Sequence, residues 1–150
     1  MNLRKVLITL AIIPTLLLSS CATFSGFSDA SITSAVTVAT SAGLRYAVKD
    51  AAKRGTIANY IDVAAVALRT VTGSPTPDQL TAVILNALPA SVKTNFPEIV
   101  AFVVPIIVSN YEIAYAKYGA NAAKLYAVLN DIAVGLEAGA APYIVLPPQT

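Results

Sequence analysis

The chain has 150 residues, of which 56% are hydrophobic and 12% are charged, and its formal net charge is +2. The composition excludes a generally disordered chain, and the length suits one domain with its own core. The whole excess of positive charge comes from Arg4 and Lys5, so the rest of the chain is neutral, which argues against nucleic acid as a partner.

The first twenty residues have the order of a secretory signal peptide. Two positive residues come first, an apolar-rich run of thirteen residues extends from Val6 to Leu18, and two serines precede Cys21. The apolar run is shorter than the roughly 20 residues that a transmembrane helix needs, and Pro14 interrupts it. We therefore expect residues 1–20 to be cleaved rather than retained.

The segment Leu18-Ser19-Ser20-Cys21 resembles the lipobox of bacterial lipoprotein precursors, in which an aliphatic residue and two small residues precede a cysteine. The resemblance covers residues 1–21 only. It implies cleavage between Ser20 and Cys21, a diacylglyceryl thioether on Cys21 and acylation of the new amino terminus. Residues 21–28 would then form a lipidated tether.

The same resemblance implies a location in the bacterial cell envelope. In such lipoproteins a residue such as Ala22, rather than Asp, after the cysteine accompanies sorting to the outer membrane. We therefore expect an anchor on the periplasmic face of that membrane. The alternative is a plain secreted protein in which the single cysteine stands at this position by chance.

Helical periodicity predicts a first helix from Ser28 to Arg54, with Gly55 as its C-terminal cap. Its apolar face comprises Ile32, Ala35, Val36, Ala39, Gly43, Tyr46 and Ala47. The β-branched stretch from Thr33 to Thr40 is also compatible with a strand. A second helix, from Thr56 to Thr72 before Gly73, is apolar on several sides and is expected to be largely enclosed.

Two capping patterns predict the next helix starts. Thr76-Pro77-Asp78-Gln79 is a capping box with proline at the first helical position, and Pro89 ends the helix that it opens. Asn95 and Glu98 form a second such pattern before a helix that should reach Tyr118, with Gly119 as its C-terminal cap. Pro105 should kink that helix, and its wholly apolar stretch is only ten residues long, which favours a core helix over a membrane span.

A last helix is predicted from Asn121 to Glu137, and Gly139 has the position of its cap. One face of this helix contains Leu125, Leu129, Ile132, Ala133 and Leu136. The fold class is therefore all-α: a small bundle of about five helices over residues 29–139, one of them kinked at Pro105, followed by an extended proline-rich tail over residues 140–150.

The residue inventory argues against catalysis. The chain has no histidine, and lipidation would consume its one cysteine, so the commonest general base, metal ligands and thiol nucleophile are all missing. Glu98 and Glu112 are nearly in phase on one predicted helix but about 21 Å apart at 1.5 Å per residue, too far for a glycosidase pair. We expect no catalytic residue, no metal and no cofactor apart from the lipid on Cys21.

Two clusters have two interpretations each. Tyr111, Tyr115 and Tyr118 share one helix face, and they either pack at the rim of the bundle or line a groove for a partner or an apolar ligand. Arg45, Lys49 and Lys53 follow at intervals of four residues, with Arg54 beside them. These cations either oppose the dipole at a helix C-terminus or contact anionic headgroups or cell-wall polymer.

The expected lipid anchor and the lack of the usual catalytic side chains together predict a non-enzymatic envelope lipoprotein. It would bind another envelope protein or a cell-wall component. Three alternatives stay open at this stage. They are a carrier for an apolar ligand, an envelope enzyme that uses carboxylates or a Ser/Lys pair, and a lipoprotein of a phage or mobile element that alters the host surface.

Overall fold

A computed structural model of the chain describes residues 29–144, which fold into a helical bundle without strands in that range. Six α-helices follow one another: α1 Asp29–Ala42, α2 Ala51–Arg69, α3 Pro77–Ala87, α4 Ala90–Asn95, α5 Val104–Tyr118 and α6 Ala122–Ala140. Two π-helical turns, Gly43–Ala47 and Ile99–Val103, and a 3-10 turn, Ala141–Tyr143, complete the order. The all-α prediction is confirmed, and Thr33 to Thr40 is helical rather than extended.

Helix α6 lies at the centre of the packing, where it contacts α1 most extensively and also α2 and α5. The five residues predicted for its apolar face are all buried. Two of its glycines, Gly135 and Gly139, are buried against α1. A Cβ atom on Gly139 would lie 2.7 Å from the Thr37 carbonyl oxygen and from Cβ of Thr40. Glycine is therefore required there by close helix contact, and the prediction that Gly139 ends the helix is wrong.

The predicted first helix is wrong in its second half. Regular helix gives way to the π-helical turn at Gly43, the chain leaves helical geometry at Val48, and α2 begins at Ala51. The new helix begins at Ala51 because the Asp50 carboxylate accepts hydrogen bonds from the backbone N–H groups of Ala52 (2.8 Å) and Lys53 (3.1 Å), as an N-cap does. Gly55 is therefore buried within α2 rather than a cap.

The apolar surface of α2 is only partly enclosed. Ile57, Ile61 and Leu68 are fully buried, as their helical spacing predicts. Val63 and Val66 are exposed instead, and the expectation that this helix is largely enclosed is wrong on their side. One apolar stripe is enough for a helix that packs on only one side of a bundle.

The capping box at Thr76 is confirmed in both directions. The Thr76 hydroxyl accepts from the Gln79 backbone N–H, and the Gln79 side-chain oxygen accepts from the Thr76 backbone N–H at 2.8 Å. The second pattern is wrong: Asn95 ends the short helix α4, and the turn that begins at Ile99 has no side-chain cap. Sequence spacing did not separate α4 from α5.

The irregularity predicted at Pro105 takes the form of the π-helical turn directly before α5. Pro105 itself occupies the first turn of α5, where a missing N–H costs least. Gly119, with φ +58°, ends α5 as predicted, and Gly73 also has a positive φ of +79°. Ala141 to Tyr143 form a helical turn rather than extended chain, and residues 145–150 of the predicted tail lie outside the described residues.

Candidate functional site

Arg45, Lys49, Lys53 and Arg54, the four cations with two interpretations, lie at the junction of α1 and α2, in three different local structures. Arg45 belongs to the π-helical turn that ends the first helical segment, Lys49 lies in the connection, and Lys53 and Arg54 lie in the first turn of α2. The helix-dipole explanation therefore fails for Lys53 and Arg54, because a helix N-terminus disfavours positive charge.

Arg54 has a structural role at this junction. Its Nε and Nη2 atoms donate to the Val48 carbonyl oxygen at 3.1 and 3.0 Å, and Nη2 also donates to the Lys49 carbonyl oxygen at 3.4 Å. Its guanidinium carbon lies 5.6 Å from the centre of the Tyr143 ring. Arg54 thus joins the end of the first helical segment to the start of α2 and to the 3-10 turn, and its Nε and Nη2 atoms both donate within the protein.

The other three cations, which we call the basic turn (Arg45, Lys49 and Lys53), are exposed to solvent. The arginine guanidinium carbon lies 5.5 Å from the centre of the Tyr46 ring, and Tyr46 is itself 70% exposed. Tyr46 was predicted to lie on the apolar face of the first helix, and that prediction is wrong. The π-helical turn explains this exposure, since Tyr46 lies within the turn and the wider winding changes its angular position on the helix.

A shallow, mainly apolar depression adjoins the basic turn. It is open to solvent and is lined by Thr37, Val38, Ser41, Ala42, Arg45 and Tyr46. Val38 is 69% exposed, so this side of α1 presents apolar surface to solvent next to positive charge. The sequence does not predict this combination, because helical spacing assigns Tyr46 to the apolar face that packs in the core.

The tyrosines of α5 lie in a different environment. Tyr111 is fully buried, and its hydroxyl donates to the Pro75 carbonyl oxygen at 2.7 Å. Burial raises the pKa of Tyr111, and the nearby Tyr115 raises it further. Tyr115 and Tyr118 are half-buried, with the Tyr111 and Tyr115 ring centres 6.0 Å apart. The groove interpretation is corrected for Tyr111, which packs in the core and has no surface for a ligand.

One ion pair between helices was not anticipated from the sequence. Arg69 at the end of α2 donates from both terminal nitrogens to the Glu137 carboxylate on α6, and the Nη2 to Oε2 distance is 2.7 Å. This hydrogen bonding holds the pKa of Glu137 below its usual range and raises that of Arg69. Both side chains are about one third exposed, with relative accessibilities of 33% and 32%. The pair is a structural contact, and 68 positions separate its members, so no local pattern predicts it.

Within residues 29–144, no group of three or more Asp, Glu, Cys or His side chains is placed to hold a metal ion. In this same part of the chain, one helical stretch, Ile99–Tyr118, is long and apolar enough to cross a membrane, with mean hydropathy 1.7. Helices in the cores of soluble proteins meet the same criteria, and Val103, Ile107 and Tyr111 of this stretch are buried within the bundle. Cys21 and the cleavage position after Ser20 lie outside the described residues.

Comparison of the chain with protein-family models, with curated proteins and with solved structures gives no match in any of the three.

Proposed function

We propose that the protein is a lipid-anchored component of the bacterial cell envelope that acts by binding another envelope component and has no catalytic activity of its own. The observation that carries the proposal is the position of Cys21. The only cysteine of the chain closes a signal-peptide pattern at the residue that lipidation requires, eight positions before α1 begins at Asp29.

The anchor is strong enough for a permanent attachment. Each buried methylene contributes about 0.8 kcal/mol, so two or three acyl chains hold a protein at a membrane where one chain gives marginal binding. Residues 22–28 span at most about 25 Å when extended, so the bundle stays close to the lipid surface. A neutral bundle held at that distance suits a partner in the same envelope layer.

Intact-mass analysis of the membrane-extracted protein tests the anchor. The expected mass is that of an acylated chain beginning at Cys21, and the added acyl mass should be missing in Cys21→Ala. Ala22→Ser is the matched control, because it changes the neighbouring residue and keeps the cysteine. An unmodified wild-type mass would refute lipid anchoring.

Crosslinking in intact cells tests the interaction. Photoreactive residues at exposed positions of the bundle, Val66 and Tyr126 for example, should give one dominant adduct with an envelope protein or with cell-wall polymer. A residue at the buried position Ile61 serves as the control that should give none. Only intramolecular products at every exposed position would contradict the binding role.

A further inference from the structure

We propose that the basic turn and the apolar side of α1 form a binding surface for anionic phospholipid headgroups, by which the anchored bundle lies on the bilayer in one orientation. The surface comprises Arg45, Lys49 and Lys53 together with Val38 and Tyr46. It deepens the proposed function and rests on it only in so far as the anchor brings the bundle to the membrane.

Charge is distributed unevenly over residues 29–144, and the positive part coincides with the α1–α2 junction. Residues 45–54 contain four cations and one acid, a net charge of +3, whereas the rest of residues 29–144 contains four cations and seven acids, a net charge of −3. The overall neutrality of the domain therefore hides a strongly positive junction. Asp50, the one acid within it, already accepts two backbone N–H groups of α2.

The side chains of the basic turn are available to a ligand. Arg54, the fourth cation, is held by the Val48 and Lys49 carbonyl oxygens, and this contact keeps the α1–α2 connection next to the first turn of α2. Lys49 lies in this connection, and Lys53 lies in the first turn of α2. The three exposed cations thus lie on one short segment that the hydrogen bonds of Arg54 hold together.

Apolar surface beside those cations indicates a lipid surface in particular. Val38 and Tyr46 are 69% and 70% exposed, the most exposed large apolar side chains of residues 29–144, and both line the depression next to Arg45. Tyrosine is favoured at membrane interfaces because its ring enters the headgroup layer while its hydroxyl stays hydrated. A face with cations and aromatic or aliphatic groups is typical of proteins that lie in the membrane interface.

The geometry of attachment is compatible with this orientation. Tyr46 follows Asp29 by seventeen positions, about 26 Å at the helical rise, so the first helical segment lying along the bilayer brings Tyr46 to the same surface that holds the anchor. Each cation near an anionic membrane strengthens partitioning about fivefold, so three contribute about a hundredfold at low salt.

The test uses the protein extracted from the membranes of cells that produce the full chain, added to vesicles of phosphatidylcholine alone or with 30% phosphatidylglycerol. An environment-sensitive probe is attached to the cysteine of Tyr46→Cys. The matched control carries the same probe in Tyr126→Cys, because Tyr126 is a tyrosine on α6 that is also exposed to solvent. We expect a lipid-borne quencher to quench the probe at position 46 on anionic vesicles only. The probe at position 126 should stay accessible to an aqueous quencher, and Arg45→Gln/Lys49→Gln/Lys53→Gln should abolish quenching at position 46.

Flotation of the same samples separates the two proposals. Flotation on both vesicle types without lipid quenching at position 46 overturns the surface and leaves the anchor. Binding and quenching confined to anionic vesicles supports the surface and overturns the anchor. Shielding of position 46 from both quenchers, irrespective of lipid charge, would assign this surface to contact with a second copy of the chain and would overturn the lipid-binding proposal. No flotation on either vesicle type would overturn both the anchor and the lipid-binding surface.

Discussion

The close contact between α6 and α1 makes Gly135 a sensitive position for a small substitution. A Cβ atom at Gly135 would lie 2.7 Å from Cβ of Val36 and 2.8 Å from the Thr33 carbonyl oxygen, against ordinary contacts beyond 3.4 Å. The Thr33 oxygen belongs to the backbone, so it cannot rotate away as a side chain can. In Gly135→Ala the two helices must therefore separate by several tenths of an ångström.

The expected magnitude is the difference between two opposing contributions. In an open helical position, Gly→Ala stabilises a helix by about 1 kcal/mol. Overpacking a close contact costs about 1–3 kcal/mol, and the backbone atom in this contact favours the upper part of that range. We therefore expect Gly135→Ala to lower the free energy of unfolding by about 1–2 kcal/mol, which reverses the sign expected from helix propensity alone.

Urea unfolding and thermal unfolding of the purified protein, followed by circular dichroism, measure this effect. A loss of 1–2 kcal/mol should lower Tm by about 4–8 °C for a domain of this size. Ala127→Gly, at an exposed position of the same helix, calibrates the propensity contribution without an interhelical contact. A Gly135→Ala protein more stable than wild type would refute the close-packing argument.

Two further predictions concern side chains that join distant elements. Glu137→Gln should cost about 0.5–1 kcal/mol near neutral pH, since solvent partly screens the carboxylate and its partner Arg69. Because the pair lowers the pKa of Glu137, its contribution to stability is present above the pKa of the unfolded carboxyl and is lost as the pH falls through the folded value. Urea unfolding should therefore show that the wild-type advantage disappears in acid, and an advantage that persists there would contradict the ion pair. Tyr111→Phe should cost about 1 kcal/mol, because the Pro75 carbonyl oxygen loses the donor that the buried Tyr111 supplies. Tyr115→Phe serves as the half-buried control, and equal thermal stability of the two variants would show that the hydroxyl of Tyr111 contributes nothing.

The sequence was sufficient where a local interaction determines the structure. The capping box at Thr76 is correct because both of its hydrogen bonds close within four residues. The prediction of the buried face of α6 is confirmed, because helical spacing alone puts its apolar residues on one side. Gly119 ends α5 as predicted, because a positive φ follows from the absence of a side chain.

The sequence failed where the same residue type suits two roles. A glycine after an apolar run marks a helix end or a close helix contact, and only the packing of α1 against α6 assigns Gly139 to the second. Asp50 looks like a surface charge within a continuous helix until its capping bonds to α2 are seen. The misplaced boundary also displaced the basic turn, whose cations were taken for the end of one helix.

Taken alone, the sequence determined the all-α class and the absence of histidine, and its short motif at Cys21 leads to the expectation of export and lipidation. These inferences depend only on composition and on short contiguous motifs. Only the tertiary structure decided that Tyr111 is buried while Tyr46 is exposed, and that three cations and an apolar depression share one junction. The physical reason is that burial and charge proximity depend on which helix faces meet, and those contacts join residues far apart in the chain.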